Sequence, residues 1–215
     1  MKNIKISPSM LSADFTRFGD ELKLLTDAGA DAIHWDVMDG SFVEAITFGA
    51  GLISACRKIT NVRFDAHLMI DNPEKQIQNF ANAGADLITV HAEATRHLHG
   101  VLSMIKNLGC MAGVALNPST QIEQIEYVTD LIDSVTVMTV NPGKSGQKFI
   151  ESQVVKIEKA KKLCGDDVEI CVDGGMNFDT IKLCANAGAT TFVSGSFLFK
   201  SQNYKDCIQR IRKNV

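Results

Sequence analysis

No two cysteines in this chain stand in CxxC spacing. The six that it has, Cys56, Cys110, Cys164, Cys171, Cys184 and Cys207, are scattered along 215 residues. That distribution excludes a zinc ribbon and a disulfide framework and reads as reduced, buried thiols of a cytoplasmic protein. No apolar run is long enough to cross a bilayer, so no membrane partner is expected. There is no Lys/Arg tract or stripe, and the net charge is only −3, which argues against a nucleic-acid partner. The opening stretch "MKNIKISPSMLSADF" lacks an apolar core and a small-residue cleavage site, so no secretion signal is expected. No Pro/Ser/Gly-rich linker interrupts the sequence, and one domain over 1–215 is expected.

What the chain does have is a weak internal repeat. "DAGADAIHWD" begins at Asp27, "NAGADLITVH" at Asn82 and "NAGATTFVSG" at Asn186, the second interval being about twice the first. Each reads as a helix closed by a glycine and followed at once by an apolar strand. Short apolar runs predict eight strands: Ile4–Ser7, Ala32–Val37, Arg63–Leu68, Leu87–His91, Ala112–Leu116, Ser134–Val140, Glu169–Val172 and Thr191–Val193. Helical patterns fill the gaps, over Phe15–Ala28, Leu52–Lys58, Pro73–Ala83, Leu98–Leu108, Ile122–Val128, Gln153–Leu163, Phe178–Ala187 and Tyr204–Arg212. Strict alternation of eight such units predicts an α/β fold, a single-domain (β/α)8 TIM barrel. The open doubly wound sheet is disfavoured because the first-turn GxGxxG is missing.

Active sites of such barrels lie at the C-terminal ends of the strands. Polar residues collect there along the whole chain. Strand two ends in His34, Asp36 and Asp39, strand three in Asp65 and His67, and strand four in His91 and Glu93. Asn117, Asn141 and Asp173 end strands five to seven, whereas the opposite ends carry little of comparable chemistry. Residues two apart on a strand share a face, so His34 pairs with Asp36, and Asp65 with His67. Two histidines and two aspartates suit zinc, iron(II), manganese or cobalt better than magnesium or calcium. A second group of residues reads as an anion grip: "NPGKSGQ" over Asn141–Gln147, "DGGMN" over Asp173–Asn177, and "VSGSFLF" over Val193–Phe199, which opens a short helix. Glycines let backbone amides approach a phosphate, and the loops after strands seven and eight are a frequent phosphate site. Between metal and phosphate, Asp36 and Asp173 come from strands far apart on the ring. Two such carboxylates can take a proton from one face of a carbon and return one to the other, with a Lewis acid steadying the enediolate between. Met10, Met38, Met69 and Met138, near strand ends, read as polarizable core filler that also excludes water.

These motifs, with "SPSMLSADF", "HWDVMDG", "DAHLM", "HAE", "NPST" and "MTVNPGKSGQKFI", resemble the ribulose-phosphate 3-epimerase family over nearly the whole chain. The resemblance implies interconversion of D-ribulose 5-phosphate and D-xylulose 5-phosphate with one divalent ion per chain, commonly zinc or iron(II), in a homo-oligomer. By position it makes His34, Asp36, His67 and Asp173 metal ligands and Asp36 and Asp173 the acid/base pair. It makes Ser9 and His67 substrate contacts, and Gly143, Lys144, Ser145, Gly146, Gly174, Gly175, Gly195 and Ser196 the phosphate loops. Asp39 reads as a carboxylate shaping the turn before Gly40, and Trp35 as packing. The chain departs from the family in two loops. "DGSFVEAITFG" places Ser41, Glu44 and Ala45 where His, Pro and Asn are usual, and "NPGKSGQ" places Lys144 and Ser145 where Phe and Gly are usual. These changes remove no ligand and no acid; they bear on which ketose phosphate is used, D-allulose 6-phosphate being an alternative. A lyase would bring a lysine to a strand end, and none is obvious. A sugar-phosphate sensor would not need both acids.

Overall fold

In the computed structural model, which describes residues 4–215, eight parallel strands alternate with helices around one barrel. The strands are β1 (Lys5–Pro8), β2 (Ala32–Met38), β3 (Arg63–Met69), β4 (Leu87–His91), β5 (Met111–Leu116), β6 (Ser134–Met138), β7 (Glu169–Asp173) and β8 (Thr191–Ser194). They pair in ring order, and β1 meets β2 through a parallel bridge between Ser9 and His34 and a hydrogen bond from Asp31 N to Ile6 O at 3.0 Å. The α-helices are α1 (Phe18–Asp27), α2 (Ala50–Arg57), α3 (Ile77–Asn82), α4 (Leu98–Asn107), α5 (Gln153–Cys164), α6 (Phe178–Asn186), α7 (Ser196–Phe199) and α8 (Tyr204–Lys213). All six cysteines are free thiols.

The strand pattern explains where the core sits. Ile33, Trp35 and Val37 on β2, Phe64, Ala66 and Leu68 on β3, and Val135 and Val137 on β6 face the helices and form one apolar layer with them. Fully burying each large side chain there contributes roughly 1.5–3 kcal/mol. Trp35, read as packing from its alternation, is completely buried against Phe18, Phe48 and Phe64. The alternate residues turn into the barrel and are polar: Ser7, Asp65, Thr89, Ser134, Thr136 and Thr191 are all buried. The helix layer therefore carries the hydrophobic stability, and the barrel interior is left for chemistry.

The structure differs from the sequence reading in four places, one being the expected helix over Pro73–Ala83, which opens as a 3-10 turn, Pro73–Lys75, before α3. The segment after β5 is a 3-10 helix over Ile122–Leu131, not an α-helix. Its buried residues Ile122, Ile125 and Val128 are spaced by three, the period at which 3-10 side chains line up. The expected helix over Phe15–Ala28 begins with a separate 3-10 turn, Phe15–Arg17, capped by the Asp14 side chain accepting from Thr16 N, and breaks at Arg17, whose φ of −133° and ψ of 28° leave the helical region. The N-terminal strand ends, expected to carry little, hold a partly buried ion cluster. Arg63 grips Glu169 with both terminal nitrogens, at 2.7 and 3.2 Å, and Lys5 Nζ lies 2.6 Å from Glu169 Oε2. These residues open β3, β7 and β1, so the cluster ties distant strands across the barrel floor.

Candidate active site

Strand register builds the site. Across β2 and β3, His34 pairs with Asp65, Asp36 with His67, and Met38 with Met69. Three rows thus rise toward the barrel mouth: a histidine with a carboxylate below, the reverse in the middle, and methionines above. Met138 on β6 is the register partner of Asp173 on β7, which brings the second aspartate to the same level from the far side.

His34, Asp36, His67 and Asp173 converge so that one ligand atom of each lies within 4.8 Å of all the others. His34 Nε2 is 3.2 Å from His67 Nδ1, 3.4 Å from Asp36 Oδ1 and 3.7 Å from Asp173 Oδ2. His67 Nδ1 is 3.5 Å from each of the same two carboxylate oxygens. Ligand atoms placed tetrahedrally at zinc–nitrogen and zinc–oxygen distances have edges of about 3.3–3.4 Å. The five edges that involve a histidine lie near that range and every ligand atom is within 4.8 Å of the others, so the donor set could hold a divalent ion.

Asp65 lies outside this set. Its Oδ2 is 2.9 Å from His34 Nδ1 and its Oδ1 accepts from Thr89 at 3.0 Å. Sequence alternation left open which aspartates join the histidines; register places Asp65 below them, where it fixes the ring of His34 and directs Nε2 into the cluster. Burial opposes charge on His34, but Asp36 and Asp65 outweigh it and raise its pKa well above the ordinary imidazole value. Burial likewise opposes charge on Asp36, yet the two histidines hold its carboxyl far below the usual range, so it stands ionised.

Above the cluster lies a cavity of about 310 Å³. Ser9, Asp36 and Asp173 form its base, and Met38, Met69 and Met138 wall it. Met10 instead packs in the helix-side core. The Ser9 hydroxyl donates to Asp36 Oδ2. Gly143, Lys144, Ser145, Gly146, Gly174, Gly175, Gly195 and Ser196 line the outer part, so all three predicted glycine loops reach one space. His34 and His67 are fully buried and do not line the cavity. His67, expected also to touch substrate, sits behind the two carboxylates. Asp39 shapes its turn as expected: Oδ1 accepts from Ser41 N and Phe42 N, and Oδ2 from Asp71 N.

Sequence reading missed two residues here. Lys200, just after α7, lines the cavity beside the glycine loops. Ser12 places its hydroxyl 2.8 Å from that of Ser145, bridging the loops after β1 and β6. Neither lies at a strand end, and loop residues carry no periodic signal. The lysines at the cavity, Lys144 and Lys200, both come from beyond strand ends.

A parallel barrel that gathers two carboxylates, a histidine pair behind them and three glycine loops around one cavity at the C-terminal ends of its strands has the layout of a (β/α)8 enzyme site. The sequence profile of the Ribulose-phosphate 3 epimerase family matches residues 5–199, and the chain belongs to that family. It is an isomerase. It is 47% identical to the ribulose-phosphate 3-epimerase of Bacillus subtilis, over 97% of this chain and 98% of that one. It is 46% identical to the Synechocystis enzyme of the same name, over 99% and 95%. The barrel also superposes on KGPDC from Streptococcus mutans with a TM-score of 0.75 at 16% identity, over 99% and 97% of the two chains, a likeness of fold.

Proposed function

We propose that the protein interconverts D-ribulose 5-phosphate and D-xylulose 5-phosphate by two-carboxylate proton transfer at C3. The observation that carries this reading is the division of the cavity, with Asp36 and Asp173 at one end and three glycine loops at the other. Loop amides and Ser196 hold the phosphate, which fixes the sugar's reach toward the two acids. One carboxylate removes the C3 proton; the other delivers a proton to the opposite face, and the centre inverts. Asp36 accepts the Ser9 hydroxyl, so Ser9 orients it. The methionine wall keeps water from the enediolate. His34, Asp36, His67 and Asp173 would hold a divalent ion, zinc or iron(II) first, with manganese and cobalt also suited to the donors. That ion supplies a Lewis acid for the negative charge that develops on substrate oxygens.

A second reading, another ketose phosphate such as D-allulose 6-phosphate, is favoured by the altered loops at the mouth, where Glu44 and Lys144 meet. In the same reading the enzyme is a homo-oligomer of the cytoplasm. Its six free thiols fit a reducing compartment, and light scattering reads the oligomer directly.

A panel of ketose phosphates assayed for C3 epimerisation, with chelator and metal add-back, separates these readings. Asp36→Asn and Asp173→Asn are each expected to lower the rate by about 10³-fold or more, with loss of C3 proton exchange into deuterated solvent. Near-parental turnover by either variant would remove that residue from the chemistry. Full turnover without a divalent ion would remove the metal.

A further inference from the structure

We propose that a chain of three side chains, the partly buried Glu93 and the buried His91 and His67, fixes the tautomer of His67 and thereby makes its Nδ1 a metal ligand. The inference rests on the metal reading above. His67 Nε2 and His91 Nε2 are 2.9 Å apart, so one of them carries the proton between them. A ligand nitrogen must offer a lone pair, so with Nδ1 in the cluster the His67 proton sits on Nε2 and is donated to His91. His91 then holds its own proton on Nδ1, which faces Glu93 Oε2 at 3.4 Å, an electrostatic contact that falls short of hydrogen-bond geometry and leaves Nδ1 with no other acceptor. Glu93 ends the chain as an anchored acceptor: its Oε1 takes the Asn117 N–H at 2.8 Å and the Thr120 hydroxyl. Every proton position follows once the carboxylate is in place.

The surroundings hold this chain in one geometry. Both histidines are fully buried, and their ring centres lie 4.9 Å apart with planes within 17° of each other, nearly coplanar across the Nε2–Nε2 contact. Phe42, from the loop after β2, closes the other side of His91 at 4.7 Å. The opposite tautomer has a specific cost. His34 sets Nδ1 against Asp65 at 2.9 Å, so as a metal ligand its Nε2 would have to offer a lone pair, 3.2 Å from His67 Nδ1. A proton on His67 Nδ1 would bond to that atom and remove two ligands at once. Glu93 and His91 are thus positioning residues, acting on the metal through His67.

Glu93→Gln tests the direction of the chain. Oε1 must still accept from Asn117, so the amide nitrogen takes the position facing His91 Nδ1. That forces the His91 proton to Nε2 and the His67 proton to Nδ1. His91→Leu removes the partner, and His91→Gln restores an acceptor. Zinc affinity of the full-length metal-free protein is measured by competition with a chromophoric chelator, alongside the visible spectrum of cobalt(II) and the ¹⁵N shifts of His67. Zinc binding is expected to weaken about 10–100-fold in Glu93→Gln and His91→Leu, with partial recovery in His91→Gln. The parent is expected to show His67 protonated at Nε2. A purely structural role would lower the melting temperature of the metal-free variants and leave zinc affinity unchanged. Parental zinc affinity in both Glu93→Gln and His91→Leu overturns the relay alone. A parent that takes up no divalent ion overturns the metal reading, and the relay with it.

Discussion

Two glycines of the outer cavity differ in what a single methyl group would meet. At Gly175, φ is +67°, and a Cβ would lie 2.9 Å from the backbone of Phe149. Backbone cannot rotate aside, and an L-residue in that conformation is itself strained by roughly 1–2 kcal/mol. At Gly195, a Cβ would lie 2.7 Å from Ser12 Oγ, the movable end of a side chain. Gly175→Ala is therefore expected to raise KM for a ketose phosphate and to lower kcat, since the shift propagates to Asp173 two residues away. Gly195→Ala is expected to change either parameter only a few-fold. Gly195→Asp adds like charge beside the phosphate, and KM should rise by about 10-fold or more with kcat nearly kept. Steady-state kinetics of the three variants check this ranking. Comparable KM for Gly195→Ala and Gly195→Asp would mean that the loop after β8 does not face the phosphate.

The elements were more legible in the sequence than the contacts between them. Apolar runs located all eight strands because each must bury a helix-facing side, and their ends moved by one or two residues where pairing continues past the apolar run, as at Met38 and Asp173. Glycine and strand-end polar residues marked the loops of the site. What periodicity could not supply was register, which separates Asp65 from Asp173, or meetings between distant loops such as Ser12 with Ser145. The two departures from the family pattern are such a meeting. Glu44 and Lys144, a hundred residues apart, approach to 3.5 Å across the mouth, and Val43 packs over Gly143 beside them. Both side chains remain solvated, 90% and 73% exposed, so the contact adds little to stability. Its expected effect is on specificity. An open charged pair replaces the proline and the aromatic usual in the family. Restoring His, Pro, Asn, Phe and Gly at Ser41, Glu44, Ala45, Lys144 and Ser145 is expected to shift kcat/KM toward D-ribulose 5-phosphate over D-allulose 6-phosphate. Replacing Lys144 alone leaves Glu44 facing an anionic substrate, so that single variant should bind worse than the joint one. An unchanged ratio in the five-residue variant would reduce the pair to solvated decoration.

Across the whole molecule, chemistry and stability occupy opposite ends of the barrel. The mouth carries the carboxylates and glycine loops, and the floor carries Glu169 clasped by Arg63 and Lys5. Burial opposes the charge on Glu169, but the bidentate Arg63 and then Lys5 outweigh it and hold its pKa below the ordinary 4.5. A folded-state value below the unfolded one means the contribution is present above the ordinary glutamate range. It is lost as pH falls through the depressed folded value. Glu169→Gln removes the charge that Arg63 and Lys5 share in a partly buried cluster, which costs on the order of 1–3 kcal/mol at neutral pH. In that variant the position no longer titrates. The stability gap between parent and Glu169→Gln should therefore be widest near pH 7 and shrink as pH falls below the ordinary glutamate range. Other carboxylates titrate in both proteins and cancel in the difference. Guanidinium unfolding at a series of pH values measures the gap, and a constant gap would mean that the floor cluster holds strands by packing alone. Because the floor lies at the far end from the cavity, kcat of the folded variant at neutral pH should match the parent, so loss of stability and loss of catalysis separate along the barrel axis.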